Sequence, residues 1–109
     1  RAEVILVEGN VEAVIGKIRE LAADYKERKA KVVVLSTDET QAAYRAYVVK
    51  SMGSRHNIST VASSLFRLLR ELDSEGVDVI LAESVPQEDL GLAVMNRLRK
   101  ASGYHIIKA

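Results

Sequence analysis

The chain has 109 residues, 48% hydrophobic and 28% charged, the mix of one folded domain rather than of a disordered tail or of two separate cores. Sixteen Lys and Arg stand against fifteen Asp and Glu, a net charge of +1, so no field of one sign draws in nucleic acid or anionic lipid. The absence of cysteine excludes disulfides, thiolate catalysis and Cys-ligated zinc, and two histidines, His56 and His105, are a poor start for a histidine metal site.

Val4 to Val7 is a β-branched run stopped by Gly9-Asn10, and it predicts a first strand. From Val11 the period changes: Val14, Ile15, Ile18, Leu21, Ala22 and Tyr25 share one helical stripe, with Asn10 as N-cap. Val32 to Leu35 predicts a second strand ending at Ser36-Thr37-Asp38, and continuous apolar runs of this kind suit strands covered on both faces. Residues 38–45 predict a short helix, and Ala46 to Val49 a more polar third strand at an edge.

The clearest periodicity lies in residues 57–74, where Ile58, Val61, Ala62, Leu65, Phe66, Leu69 and Leu72 recur at helical spacing. Gly76 ends that helix as a left-handed C-cap, and Val77 to Leu81 predicts a fourth strand at the sheet's centre, with Ala82-Glu83 at its end. Pro86 breaks the chain before a helix over Asp89 to Ser102, and Gly103 precedes a short last strand, Tyr104 to Ile107. No apolar run is near the roughly 20 residues that span a bilayer, and no signal peptide is visible, so a soluble cytoplasmic protein is expected.

Strands alternating with helices over short connections predict an α/β fold: a three-layer α/β/α sandwich around a five-stranded, mostly parallel sheet. The expected strand order is 3-2-1-4-5, with residues 1–109 forming a single domain. A first residue of Arg rather than Met gives the expectation of a piece of a longer protein.

In such a sheet, ligands favour the carboxyl ends of strands beside the switch point, here Gly9, Asn10, Glu83 and Ser84. Helix N-termini there permit nucleotide binding. Glu8-Gly9-Asn10-Val11-Glu12, however, lacks G-x-G-x-x-G and any Walker pattern, and Gly9 reads as a turn glycine. Gly53-Ser54-Arg55 offers two readings: a backbone nest with a basic neighbour for an anion, or a tight turn at Gly53 with Ser54 or Asn57 capping the next helix. Glu83 reads as a solvated carboxylate at a strand end in preference to a general base, His56 as a surface histidine and His105 as structural. Asp73, Glu75 and Asp78 give no reason to converge with it.

On the last helix, Leu90, Val94, Leu98 and Ala101 lie on one side, and Arg97 falls among them, so its guanidinium must snorkel or find a carboxylate or carbonyl partner. Leu92, Met95 and Arg99 are expected to point away from the sheet, with Leu92 and Met95 beside Asn96 forming a contact patch.

The stretch from Gly53-Ser54 through Leu65-Phe66, Leu69-Arg70, Asp73 and Leu81-Ala82-Glu83 to the run Gly91 to Ala101, G-L-A-V-M-N-R-L-R-K-A, resembles the C-terminal domain of long-form threonylcarbamoyl-AMP synthases. The resemblance covers about residues 50–102 and implies a Rossmann-like accessory domain, joined in that family to a catalytic YrdC-like domain through an extended linker. It further implies a parent enzyme that condenses threonine, bicarbonate and ATP, with magnesium, into threonylcarbamoyl-AMP for tRNA modification.

Neither the catalytic domain nor the linker is within the chain, so no catalytic residue carries over and no cofactor or metal is assigned to this domain. Gly53, Ser54, Glu83, Asn96 and Arg97 carry over as recurrent motif positions, and Asp89 stands where the family often has the first glycine of G-L-G. With Arg55, Leu92 and Met95 they are the candidate binding or interface residues. The implied partners are the catalytic domain and linker of the same protein, with tRNA reached only through the parent pathway. The alternative is a nucleotide- or anion-sensing domain.

Overall fold

Five apolar runs pair into one all-parallel sheet in a computed structural model that describes residues 2–109. The strands are β1 (Glu3–Glu8), β2 (Val32–Ser36), β3 (Val48–Ser51), β4 (Val79–Glu83) and β5 (Ile106–Lys108). The helices are α1 (Val11–Glu27), α2 (Ile58–Ser74) and α3 (Leu90–Ala101), with a 3-10 helix at Gln41–Tyr44 where a short helix was expected. Asn10 caps α1 through its side chain, which accepts from the Ala13 N–H at 2.9 Å, and Gly76 (φ 74°) closes α2.

The strand order is β3-β2-β4-β1-β5, which corrects the expected 3-2-1-4-5. All five β4 residues are buried, as expected of the strand at the sheet's centre, whereas β1 begins with an exposed Glu3. The chain therefore passes from β1 beyond β4 to β2 through α1, and from β4 beyond β1 to β5 through α3. Leu81 is flanked by Ile5 on one side and Val34 on the other.

Alternation along the strands sends Ile5, Val7, Val34 and Leu81 under α1 with Val14 and Ile18. Leu6, Val33 and Ile80 face α2 and α3, with Leu65, Leu72, Val94 and Leu98. Each fully buried side chain of this size contributes about 1.5–3 kcal/mol of transfer free energy, so both faces hold the sheet in place. β3, half exposed, is the expected edge.

The turn into α3 is tight. A Cβ on Gly91 would stand 1.8 Å from the Pro86 carbonyl oxygen, so only glycine fits there. Asp89 lies at φ 49°, ψ −119°, a region normally left to glycine, and bears the strain with no side-chain cap on the helix. Asp89→Gly should therefore raise stability by about 1 kcal/mol or more, read as a higher melting temperature, whereas an unchanged or lower one would contradict the strain.

Candidate functional site

The connections after β1 and β4 leave in opposite directions, α1 toward β2 and α3 toward β5, so a crevice opens at the carboxyl ends of these adjacent strands. Its volume is about 720 Å³, and its walls include Glu8, Gly9, Asn10, Arg55, His56, Ser84, Gln87 and Lys108. Gly9, Asn10 and Ser84 are thus at the expected place.

Glu83 is not in that wall but behind it, with no exposed surface, which corrects the reading of a solvated carboxylate. Its Oε1 accepts from Thr40 Oγ1 at 2.8 Å, Arg55 Nη2 at 3.0 Å, the Thr37 N–H at 3.1 Å and Thr37 Oγ1 at 3.2 Å. Its Oε2 accepts from the Tyr44 hydroxyl at 2.5 Å. Arg55 also donates to Thr37 Oγ1 at 2.9 Å and to the Ser84 carbonyl at 2.9 Å. Burial, followed by the bond to Glu83, pushes the Tyr44 phenol far above its ordinary range, so it stays a donor.

The Gly53-Ser54-Arg55 loop does hold an anion, and it is the chain's own. Ser54 Oγ and the Arg55 N–H donate to Glu39 at 2.6 and 2.7 Å, and these two bonds, Ser54's first, hold the Glu39 carboxyl below the usual carboxylate range. Neither residue proposed as a cap fills that role: the Ser54 hydroxyl is turned to Glu39, and Asn57 precedes α2 without a side-chain cap. Gly53 (φ 137°) makes the expected turn, with no room for a Cβ, which would lie 2.5 Å from Thr60 Oγ1.

A second carboxylate, Glu8, is buried at the end of β1 between two cations. Arg99 donates to it at 2.9 and 3.2 Å and Lys108 at 2.8 Å. The Arg99 hydrogen bond is the largest of the influences that hold the Glu8 carboxyl below its ordinary range.

Arg55 and Glu83 are thus brought together, with Gly53 and Ser54 in the loop that carries Arg55. Leu92, Asn96 and Arg97 lie on α3 outside this cluster. Arg97 is exposed and stacks its guanidinium 4.5 Å from the centroid of the Phe66 ring, a partner of neither expected kind. Met95 is wholly buried, its sulfur 3.3 Å from the Val85 nitrogen, so the expected Leu92 and Met95 patch does not form. The close approach of Pro86 to Gly91 turns the Gly91, Val94, Met95 and Leu98 face inward and leaves Leu90 and Leu92 exposed. Arg99, expected outward, is turned to Glu8 by the same rotation.

Sequence reasoning missed Thr37, Thr40, Tyr44, Glu39 and the Glu8, Arg99 and Lys108 cluster. Their spacing carries no motif, because the partners of Glu83 lie 28 to 46 residues away. Asp73 and Asp78 serve the backbone instead, accepting from the Ala2 and Lys31 N–H groups, both at 2.7 Å. His105 is paired with Glu3. Among the described residues no three His, Cys, Asp or Glu side chains converge as metal ligands. No helix among them is long and apolar enough to cross a membrane.

An all-parallel α/β sheet covered by helices on both faces, with its crevice at the carboxyl ends of β1 and β4, is that of a Rossmann-like domain. Residues 1–103 match the family described as the C-terminal domain of threonylcarbamoyl-AMP synthase, and the chain belongs to that family. The threonylcarbamoyl-AMP synthase of Pyrococcus abyssi is 51% identical over 107 residues, and that of Bacillus subtilis 41% identical over 107 residues. Each alignment covers 98% of this chain and 30% of the relative, so the chain spans about a third of the length of these curated relatives.

The crystal structure of P. abyssi Sua5 complexed with L-threonine matches with a TM-score of 0.85 at 51% identity, over 99% of this chain and 30% of that one. The C-terminal Sua5 domain from Pyrococcus horikoshii gives 0.78 at 49% identity, over 100% of this chain and 98% of that one.

Since Glu8 has its pKa lowered in the fold from the ordinary 4.5, its contribution to stability is complete above that value and is lost as pH falls through the lowered one. Glu8→Gln should therefore be less stable than wild type at neutral pH, with a gap in denaturation midpoint that narrows in acid. A gap independent of pH would contradict the ion cluster.

Proposed function

We propose that this chain acts as the C-terminal accessory domain of a threonylcarbamoyl-AMP synthase, controlling closure over substrate through contact with the catalytic YrdC-like domain and linker. It supplies no reacting group. The parent enzyme condenses threonine, bicarbonate and ATP into threonylcarbamoyl-AMP in the cytoplasm, with ATP and magnesium held by the other domain, and tRNA is met only through that product. Family membership supports this reading, together with the length of the relatives beyond this domain.

The observation that carries it is the state of the charges at the crevice. Glu83 is bonded to Arg55, Glu8 to Arg99 and Lys108, and Glu39 to the Ser54 and Arg55 loop. A general base needs a carboxylate free to take a proton, and these three are instead stabilised as ions or shielded in the interior. A second reading, a sensor of nucleotide or anion, draws on the crevice itself, where Lys108 and the N-terminus of α1 share one wall.

Removing the domain from the full-length synthase should slow threonylcarbamoyl-AMP formation by about tenfold or more, equivalent to about 1.4 kcal/mol in the barrier, and deprotect the linker in hydrogen exchange. Unchanged activity and unchanged protection would overturn the accessory reading. Heat on titrating the domain with millimolar ATP, AMP or pyrophosphate would favour the sensor.

A further inference from the structure

The net charge of +1 is spread unevenly over the molecule. At the amino ends of β2 and β3, the edge of the sheet opposite the crevice, a pocket of about 290 Å³ is walled by Lys26, Lys31 and Arg45 together with Val32, Tyr47 and Val48, and no carboxylate lines it. We propose that this pocket binds a small organic phosphate, a phosphoryl group on a compact apolar or planar body. The site is separate from the crevice and stands independently of the accessory-domain reading.

Three pieces of chain bring the cations together. Lys26 comes from the last turn of α1, Lys31 from the turn that follows, and Arg45 from the segment between the 3-10 helix and β3. The carbonyls that end α1 would repel an anion, but the turn bonds them: the Lys29 N–H donates to the Lys26 carbonyl and the Ala30 N–H to that of Tyr25, both at 3.0 Å. Asp78, which meets the Lys31 N–H, is outside the pocket wall.

The cations are held in place and still have donors to give. The Lys26 ammonium donates to the Ala46 carbonyl at 3.1 Å and lies 5.5 Å from the centroid of the Tyr47 ring, and that of Lys31 donates to the Glu75 carbonyl at 2.6 Å. An ammonium has three N–H groups, so each keeps others for a ligand. Among the described residues none of the three cations pairs with a carboxylate, whereas Arg55, Arg99 and Lys108 at the crevice all do. Three like charges around one pocket repel one another, and an anion between them removes that repulsion.

A carboxylate brings one charge and two oxygens. A phosphoryl group brings about −1.5 to −2 and three oxygens, which suits donors arriving from three directions. The rest of the wall is apolar, and Val48, 60% exposed, would be covered by a body attached to the phosphate. The volume stands at the low end of the roughly 300–1,000 Å³ of small-molecule sites, enough for a compact ester and too small for a dinucleotide. No acidic side chain is there to accept from ribose hydroxyls, the device that selects nucleotides in folds of this kind.

Calorimetric titration of this domain with phenyl phosphate tests the site, and the P. horikoshii domain stands alone in its own structure. Heat should be released at millimolar ligand, with affinity falling about tenfold in Arg45→Gln. Inorganic phosphate and benzoate should each bind several-fold more weakly, since one lacks the body and the other the phosphoryl group. Lys50→Gln, an exposed position on β3 outside the pocket, removes the same charge and should change affinity by no more than about twofold. Arg45 is exposed and without an ion pair, so the variant should melt within a few degrees of wild type; Lys31→Gln serves if it does not. No heat, or affinity that both substitutions leave unchanged, which puts the anion elsewhere, would overturn the proposal. So would an equal loss in Lys50→Gln, which reports a diffuse field, or tighter binding of a single-stranded oligonucleotide, which assigns the pocket to a nucleic-acid backbone.

Discussion

Glu83 is an ionisable side chain with no exposed surface, held at the end of the central strand. Left alone, such a carboxylate would be expensive enough to reject its charge or the fold. Four donors and a guanidinium answer that cost, from the end of β2, the 3-10 helix and the loop before α2. Two connections, β2 to β3 and β3 to α2, are therefore tied to one carboxylate. An apolar replacement of the whole set need not lower stability, so the importance of the network lies in which loop conformation it selects.

That choice shapes the rest of the carboxyl edge. Arg55 is drawn inward by Glu83 and the Ser84 carbonyl, and its N–H meets Glu39 in the same loop. Arg99 and Lys108 close the other side on Glu8. The edge where α/β folds often bind ligands has here turned its charges on itself, while the amino edge carries a half-exposed aromatic ring beside an apolar groove.

Much of the architecture was legible in the sequence because period and punctuation act locally. Asn10 and Gly76 end helices where their conformational preferences predict, and the buried runs Val32 to Leu35 and Val79 to Leu81 show that both sheet faces are covered. The fourth strand's apolar run pointed to the centre, where β4 lies, but which strands flank it is set by a competition that no local pattern encodes. That single error hid the network: with β1 beside β2, Thr37 and Glu83 lie at separate strand ends, whereas with β4 beside β2 the Thr37 N–H reaches the Glu83 carboxylate. The motif flagged Gly53, Ser54 and Glu83 without indicating that their partners were internal. On α3 the error was one of phase, since 100° per residue locates a stripe but not the backbone contact at Gly91 that rotates it.

Urea denaturation of Glu83→Gln, Arg55→Met and the double variant measures how far these groups act as one. Each single change leaves a buried partner uncompensated and should cost about 3–5 kcal/mol, with the double variant departing from their sum by about 1 kcal/mol or more. Losses that are small and additive to within about 0.5 kcal/mol would show that the two side chains are independent and that Glu83 does not organise the carboxyl edge.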